Sequence, residues 1–340
     1  MPPIIICDED GFKDLYETLV EYADDFDSDD WNEMLYLLQN RFVCLGIKCD
    51  QVGQSEILKG GGLENGDWPK CSDPLFDIDG YRGSKVDNLL QSSLVDLDVR
   101  TIGTLIEMDA DLAAYDVYAW GRFSRDNKGQ VVSMESRATR DPHQNNDVAK
   151  VFTEYFSETD FGNTDQLVYH SIMAVNQFRS ATPTQRRIAA ESAMVTMTMH
   201  VYAINEFFLA VDDCEQLKAS VMNNISEQEQ EYWHWDSGVA SLTGWAEGDE
   251  DTDEGFLFFS VPRYLCDDDE ATSSSLCDSD GNSEINTRLI KAFKDGKESL
   301  RRKECDDAVA TIKNIEKLLQ TILVDITAYF AKAIDENETN

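Results

Sequence analysis

Apolar residues recur at alternating intervals of three and four positions along much of this chain, the spacing that places side chains on one face of an α-helix. The most regular series lies near the C-terminus and consists of Ala308, Ile312, Ile315, Leu319, Ile322, Ile326, Tyr329 and Ala333. A second series, between Arg186 and Cys214, contains Met194, Met197, Val201, Ile204, Phe208 and Val211. Two long helices with matching apolar faces predict a helical bundle.

Shorter amphipathic segments predict further helices, whereas the alternation typical of strands is scarce. These segments run from Phe12 to Phe26, Trp31 to Leu45, Asp109 to Phe123, Asp147 to Phe156, Gln166 to Phe178 and Glu227 to Leu242. Two stretches rich in Gly, Asp and Ser, from Gly53 to Gly83 and from Glu247 to Gly281, predict long surface loops. We therefore expect an all-α fold, a helical bundle with long acidic loops that disulfides can clamp.

The length of 340 residues allows one large domain or two closely packed halves. We divide the chain into an N-terminal helical segment with a Gly/Asp-rich loop, residues 1–100, and a main helical region, residues 101–340, which can also form one continuous domain. A hydrophobic fraction of 42%, with 16 Phe, 12 Tyr and 6 Trp, predicts a full hydrophobic core.

Acidic residues dominate the charge, since 66 Asp and Glu against 29 Lys and Arg give a net charge of −37. We exclude nucleic-acid binding, because a polyanion repels phosphate backbones and no basic stripe occurs in the sequence. An acidic surface keeps a protein dispersed in salty water, and it also attracts cations; the two interpretations are compatible.

Eight cysteines are scattered along the chain without the paired spacing of a zinc site. We predict at least three disulfides in the mature protein and hence an extracellular or cell-surface location. Cys44 with Cys49 and Cys266 with Cys277 are close enough in sequence to form small loops. The apolar run at the start of the chain is too short for a signal peptide and has no basic flank, so either an export signal has been removed or the predicted location is wrong.

The longest apolar stretch, Met194 to Val211, contains His200, Asn205 and Glu206, which indicates a buried helix, and we predict no transmembrane segment. The common catalytic motifs are missing from the sequence, so we do not expect an enzyme. A hydrolase that uses His234 and Asp236 is the catalytic alternative.

Oxygen donors suited to a hard trivalent metal occur in three segments. In the first, Tyr115 and Tyr118 share a face of a predicted helix, and Arg122 follows Tyr118 by one turn. An arginine there can anchor a small oxyanion through its planar fork, with Ser124 beside it in the sequence. The alternative is a plain amphipathic helix with half-buried tyrosines and a solvated Arg122.

In the second segment, Tyr232 to Gly238, aromatic residues surround a histidine and an aspartate. The third segment, Phe256 to Cys266, ends in Arg263, Tyr264, Leu265 and Cys266. Our candidate metal ligands are Tyr118, Asp236, Tyr115, His200 and Tyr264. Our candidate anion-binding residues are Arg122, Ser124 and Arg263. Crowded aromatic residues are also typical of a hydrophobic core, and a buried core histidine is the alternative for His200.

The order of several short pieces resembles the Fe-assimilating protein family of algae, which includes the phytotransferrins, from Ile102 to Ala333. The pieces are YAWGRFS at Tyr118 to Ser124, YAINEFFLAVDDC at Tyr202 to Cys214, WDSGVASLTG at Trp235 to Gly244 and RYLC at Arg263 to Cys266, followed by the helix around Ile326 to Ala333. The chain departs from the family where Tyr264 and Leu265 displace the cysteine after Arg263.

The resemblance implies extracellular capture of ferric iron for uptake at an algal cell surface, with carbonate as a synergistic anion and with uptake machinery that can use an endocytic route. Carbonate and phenolate are both lost on protonation, so release in an acidified vesicle is expected. The alternative is an acidic cell-surface or matrix interaction module of the same fold without a metal site.

Overall fold

Helices make up 75% of the residues that the computed structural model describes, which confirms the predicted all-α fold. The described residues are 77–78, 80–83, 89–126, 128–159, 162–219, 232–244, 257–267, 277 and 283–338. The predicted helices Phe12 to Phe26 and Trp31 to Leu45, the Cys44 and Cys49 pair and most of the loop from Gly53 to Gly83 lie outside these residues.

Two short strands, β1 (Asp77–Ile78) and β2 (Tyr81–Arg82), pair antiparallel ahead of the helices. The helices in the first half are α1 (Leu89–Ser93), α2 (Val95–Glu107), α3 (Asp111–Trp120), α4 (Met134–Ala138), α5 (Asp147–Ser157) and α6 (Thr164–Ile172). The later helices are α7 (Pro183–Ala193), α8 (His200–Ala219), α9 (Trp233–Thr243), α10 (Ser260–Asp267), α11 (Glu284–Arg301) and α12 (Cys305–Glu338).

Helix α8 packs against α5, α9, α11 and α12, and so forms the centre of the bundle. The apolar face predicted near the C-terminus is buried in α12, where Ala308, Ile312, Ile315, Leu319 and Ile322 have no exposed surface. A disulfide between Cys214 and Cys305 joins α8 to the first residue of α12. The two long helices predicted from periodicity therefore pack directly against each other, as expected of a bundle.

Close packing at the centre depends on the absence of a side chain at Gly296 in α11. A Cβ atom there would lie 2.1 Å from the indole ring of Trp235, a buried residue of α9. The indole nitrogen of Trp235 donates a hydrogen bond to the carbonyl of Phe293, 3.0 Å away. The segment Trp233 to Gly238 is thus part of the hydrophobic core, which is the more common role of crowded aromatic residues.

Helices α7 and α8 are continuous through a π-helical turn at Met194–Met199. The combined stretch, Pro183–Ala219, is long and apolar enough to cross a membrane by length and composition, and 78% of its most apolar window is buried inside the protein. Burial of that extent is also found in the central helix of a globular bundle. The absence of a transmembrane segment stays a prediction.

Several boundaries differ from those predicted. Helix α3 ends at Trp120, and a helix, Ser260–Asp267, lies in the stretch predicted as a loop. Periodicity did not predict helices at Leu89–Ser93, Val95–Glu107, Met134–Ala138 and Glu284–Arg301. The structure pairs Cys266 with Cys277, as their spacing allowed. The proposed division between residues 100 and 101 lies inside α2.

Helix α3 ends where it does because Gly121 adopts a left-handed conformation, with φ of 67°. A Cβ atom at Gly121 would lie 2.8 Å from a methyl group of Val131 and 3.0 Å from the Cα of Ser133. The chain therefore turns sharply after Trp120, and Ser133 then caps the start of α4 by accepting a hydrogen bond from the amide of Ser136. This turn brings α3 and α4 together beside α6.

Candidate metal centre

Helices α3, α4 and α6 bring five side chains with phenol or carboxylate groups near one another, and the exposed Asp116 also acts on one of them, Tyr115. We call the five side chains the tyrosine–carboxylate cluster. Its members are Tyr115, Tyr118, Glu135, Asp165 and Tyr169. The hydroxyl of Tyr118 donates a hydrogen bond to Oδ1 of Asp165, 2.9 Å away. Asp165 lies in the first turn of α6, which Asn163 caps through its side chain.

The three tyrosine rings of the cluster lie against one another. The ring centroids of Tyr115 and Tyr118 are 6.5 Å apart, and the rings of Tyr115 and Tyr169 make an edge contact at 5.3 Å. Tyr118 is fully buried, Tyr115 and Asp165 are half-buried, and Tyr169 is exposed. The cluster therefore runs from the protein interior to the solvent, so an ion could enter it from outside.

Burial and mutual repulsion dominate the electrostatics of the cluster. Burial, followed by the neighbouring Asp165 carboxylate, raises the pKa of Tyr118 well above its ordinary value. The pKa of Tyr115 is raised by burial and by the charges of Glu135 and Asp165, and that of Glu135 is raised by burial and by Asp165. Within the described part of the chain, no basic side chain forms an ion pair with Glu135 or Asp165. These two carboxylates therefore lack a basic counter-charge among the described residues, which favours a bound cation.

The chemistry of these groups suits a hard cation. Oxygen donors match hard ions, and a phenolate is available to a metal only after it has lost its proton. The proton that Tyr118 shares with Asp165 lies between two oxygens that a cation could bind in its place. Among the described residues there is no group of three or more His, Cys, Asp and Glu side chains arranged to hold a metal, so a metal here needs the phenols as ligands.

The predicted anion-binding residues Arg122 and Ser124 lie beside an anion of the protein itself. Asp98, a buried residue of α2, accepts hydrogen bonds from the backbone amides of Arg122, Phe123 and Ser124 at 3.0, 3.1 and 3.1 Å. Three consecutive amides that converge on one carboxylate form an anion-binding nest. The prediction that Arg122 shares a helical face with Tyr118 is wrong, because α3 ends two residues before Arg122.

The side chains of Arg122 and Ser124 have different surroundings. The guanidinium of Arg122 lies 5.5 Å from the ring centroid of Phe123. The hydroxyl of Ser124 is buried and accepts a hydrogen bond from Nη2 of Arg137 in α4. The Ser124 amide and hydroxyl are therefore both engaged within the protein.

Asp236, predicted as a metal ligand, lies in a buried ion pair elsewhere in the bundle. Nζ of Lys297 lies 2.7 and 3.0 Å from its two carboxylate oxygens, and the hydroxyl of Tyr81 donates a hydrogen bond to it. The ammonium of Lys297 also donates to the carbonyl of Arg82, 2.9 Å away. The cation that we expected for this desolvated carboxylate is thus a lysine 61 residues further along the chain.

His200, a further predicted ligand, is a neutral core histidine. Its ring is fully buried, with centroids 5.3 Å from Phe258 and 6.3 Å from Phe152. Burial lowers the pKa of His200 to about 4, and the carbonyl of Thr196 offsets only part of this effect. Apart from this contact with Thr196, neither ring nitrogen has a hydrogen-bond partner among the described residues. The side chains of Tyr264 and Arg263 lie outside the described ones.

The alternative hydrolase, based on His234 and Asp236, does not match the contacts of His234. Nδ1 of His234 lies 2.7 Å from the buried carboxylate of Glu206, which also pairs with Arg140 at 2.6 Å. Burial alone would lower the pKa of His234, but the hydrogen bond and charge of Glu206, with a contribution from Asp213, outweigh it and raise the pKa. The ion pair thus stabilises the protonated histidine.

The effect of His234 on stability should depend on pH. Its pKa in the folded protein lies above the ordinary value of 6.5, so its contribution is complete below pH 6.5 and is lost as the pH rises through the folded pKa. We expect the difference in unfolding free energy between the wild type and His234→Gln to become smaller as the pH rises through the folded pKa of His234. Urea unfolding at several pH values between about 5 and 9 measures this difference.

His170→Gln, which alters a ring that contacts Asn176, is the matched control for the replacement of a histidine by glutamine. A constant difference for His234→Gln across the same range would contradict the ion pair as the source of the effect.

Of the cluster residues, Tyr115 and Tyr118 were predicted from the sequence as metal ligands, whereas Glu135, Asp165 and Tyr169 were not. Asp165 and Tyr169 are four residues apart, the same spacing as Asp111 and Tyr115. This repeat of an acidic residue followed by a tyrosine one turn later was the available signal. Asp111 itself is not in the cluster, because its carboxylate pairs with Arg186 at 2.8 Å.

The fold and the cluster together define an all-α protein with a partly exposed group of phenol and carboxylate oxygens. Comparison with known proteins found no match to a family model, to a curated protein or to a solved structure. The function therefore has to be inferred from the cluster and from the sequence pattern.

Proposed function

We propose that this protein binds ferric iron outside the cell and serves iron uptake at an algal cell surface, with carbonate as a synergistic anion. The observation that carries the proposal is the hydrogen bond between the buried Tyr118 phenol and the Asp165 carboxylate, beside Tyr115 and Glu135. Phenolate and carboxylate oxygens are the donors that a hard trivalent ion prefers.

Charge favours a trivalent ion over a divalent one at this cluster. Binding to Tyr118, Tyr115, Asp165 and Glu135 would bring up to four negative charges together once the phenols lose their protons. The raised pKa values of the two phenols mean that only a strongly polarising cation can displace those protons near neutral pH. Ferric iron has that property.

Tyr115 and Tyr118 remain the candidate metal ligands that the sequence predicted. Asp165 and Glu135 take the place of Asp236 and His200 as the further ligands. Carbonate would complete the coordination shell, and the guanidinium groups of Arg122 and Arg263 are the remaining candidate anchors for it. An extracellular location is supported by two disulfides among the described residues, Cys214 with Cys305 and Cys266 with Cys277, and by the net charge of −37.

The test is a titration of the metal-free protein with ferric nitrilotriacetate, with bicarbonate and in carbonate-free buffer. We expect a visible phenolate-to-iron charge-transfer band that saturates at one iron per protein and is stronger with bicarbonate. Gallium(III), which lacks such a band, should instead perturb the ultraviolet absorption of tyrosine. Absence of both signals, with no iron retained after gel filtration, would exclude the iron site and favour the acidic interaction module.

A further inference from the structure

Asp98 connects two parts of the chain that lead to the proposed ligands. Its carboxylate is fully buried, and it accepts hydrogen bonds from the three amides that follow the turn at Gly121. The first of these amides, that of Arg122, lies four residues after Tyr118. The position of the C-terminal end of α3 therefore depends on a side chain from α2.

The segment that Asp98 holds is also bonded to α4 through Ser124. Arg137 of α4 is buried, its charge acts on Asp98, and its Nη2 donates a hydrogen bond to the hydroxyl of Ser124. Its Nη1 donates to the carbonyl of Val132, 3.0 Å away. Glu135 lies two residues before Arg137 on this short helix. The segment of residues 122–124 is thus held between Asp98 on one side and Arg137 on the other.

We propose that Asp98 is the positioning residue of the iron site, because its carboxylate fixes residues 122–124 after the end of α3 and Ser124 of this segment bonds Arg137 of α4. Asp98 thereby sets the separation of the Tyr118 and Glu135 oxygens. This inference rests on the proposed function. Residues that orient metal ligands from outside the coordination shell affect both the affinity and the electronic properties of the metal.

Asp98 is suited to this role because its carboxylate accepts the backbone amides of all three residues of the segment. The backbone bonds of the loop itself, from Val132 to the Ser124 carbonyl and from Asp126 to the Gln130 carbonyl, leave the amides of Arg122 and Phe123 to that carboxylate. Hydrogen bonds to an ionised carboxylate are about twice as strong as those between neutral groups. An asparagine would present an NH₂ group to one of the three amides and lose that bond.

The test compares Asp98→Asn with Asp236→Asn, a control that alters an equally buried carboxylate whose partners include Lys297 and Tyr81. We expect Asp98→Asn to weaken ferric binding by about 10-fold to 100-fold and to shift the charge-transfer band. We expect Asp236→Asn to leave affinity and band unchanged in the folded fraction. Amide hydrogen exchange without iron should show lost protection at Arg122, Phe123 and Ser124 in Asp98→Asn only.

The outcomes separate this inference from the proposed function. If the wild type does not bind iron, the proposed function and the inference are both refuted. If the wild type binds iron and Asp98→Asn has the same affinity and charge-transfer band, only the role of Asp98 is refuted. An equal loss in Asp236→Asn would likewise overturn it, because the effect would then be general destabilisation. If Asp98→Asn does not fold, Ser124→Ala removes the acceptor of Arg137, and an unshifted band in that variant overturns the inference.

Discussion

Tyr118→Phe is expected to abolish most of the visible charge-transfer band and to lower the affinity for ferric iron by more than about 100-fold, or ~2.7 kcal/mol. The substitution removes one oxygen and leaves the ring, which is fully buried against the core of the bundle. The loss is large because the phenolate supplies both a ligand and a negative charge, which the remaining half-buried groups cannot replace. Iron titration followed by visible absorption, with competition by a chelator, measures both effects.

The fold should survive this substitution. The Tyr118 hydroxyl makes one hydrogen bond, to the half-buried Asp165, so its removal should cost about 1 kcal/mol of unfolding free energy. Tyr155→Phe, which alters an exposed tyrosine of α5, is the matched control and should keep the wild-type band and affinity. An unchanged band in Tyr118→Phe would exclude the tyrosine–carboxylate cluster as the iron site.

Asp236→Ala is expected to destabilise the protein by about 3–5 kcal/mol, because it leaves the Lys297 ammonium with no carboxylate partner in a largely buried position. Tyr81 also loses its hydrogen bond to Asp236 in the same variant. Equilibrium urea unfolding, monitored by tryptophan fluorescence, gives the difference in unfolding free energy. In the folded fraction, the iron affinity and the charge-transfer band should equal those of the wild type.

The double variant Asp236→Leu with Lys297→Met distinguishes a lost ion pair from a lost side chain. Replacing both charges by apolar groups of similar size removes the uncompensated charge, so most of the stability should return. Lys150→Ala breaks an exposed ion pair with Asp147 and should change stability little, as the surface control. A large loss of iron affinity in Asp236→Ala, with stability unchanged, would restore Asp236 as a ligand and contradict the structure.

The local pattern of the sequence was sufficient for the long helices. The series from Ala308 to Ala333 predicted α12, and the series through Met194 and Val211 predicted the continuous helix of α7 and α8, because helical periodicity is a property of neighbouring residues. The same local geometry placed Tyr115 and Tyr118 on one face of α3. The pair Cys266 and Cys277 followed in the same way from short sequence separation.

Local pattern was insufficient wherever a single backbone turn changed the direction of the chain. Gly121 ends α3 after Trp120 and removes Arg122 from the helical face that it would otherwise share with Tyr118. A glycine within an apolar run can continue a helix or end it, and the choice here depends on contacts of the turn with Val131 and Ser133.

The partners of the charged groups were decided only by the tertiary structure. Tyr118 and Asp165 are 47 residues apart, Asp98 binds the amide of a residue 24 positions away, and Asp236 pairs with Lys297 across 61 positions. A buried carboxylate needs a positive partner, and either a metal ion or a lysine can provide it. The sequence around a carboxylate in an aromatic segment is therefore the same in both cases. Residue types and helical faces could therefore be inferred from the sequence. The packing of α3, α4 and α6 determined which carboxylate and phenol oxygens have no basic partner among the described residues.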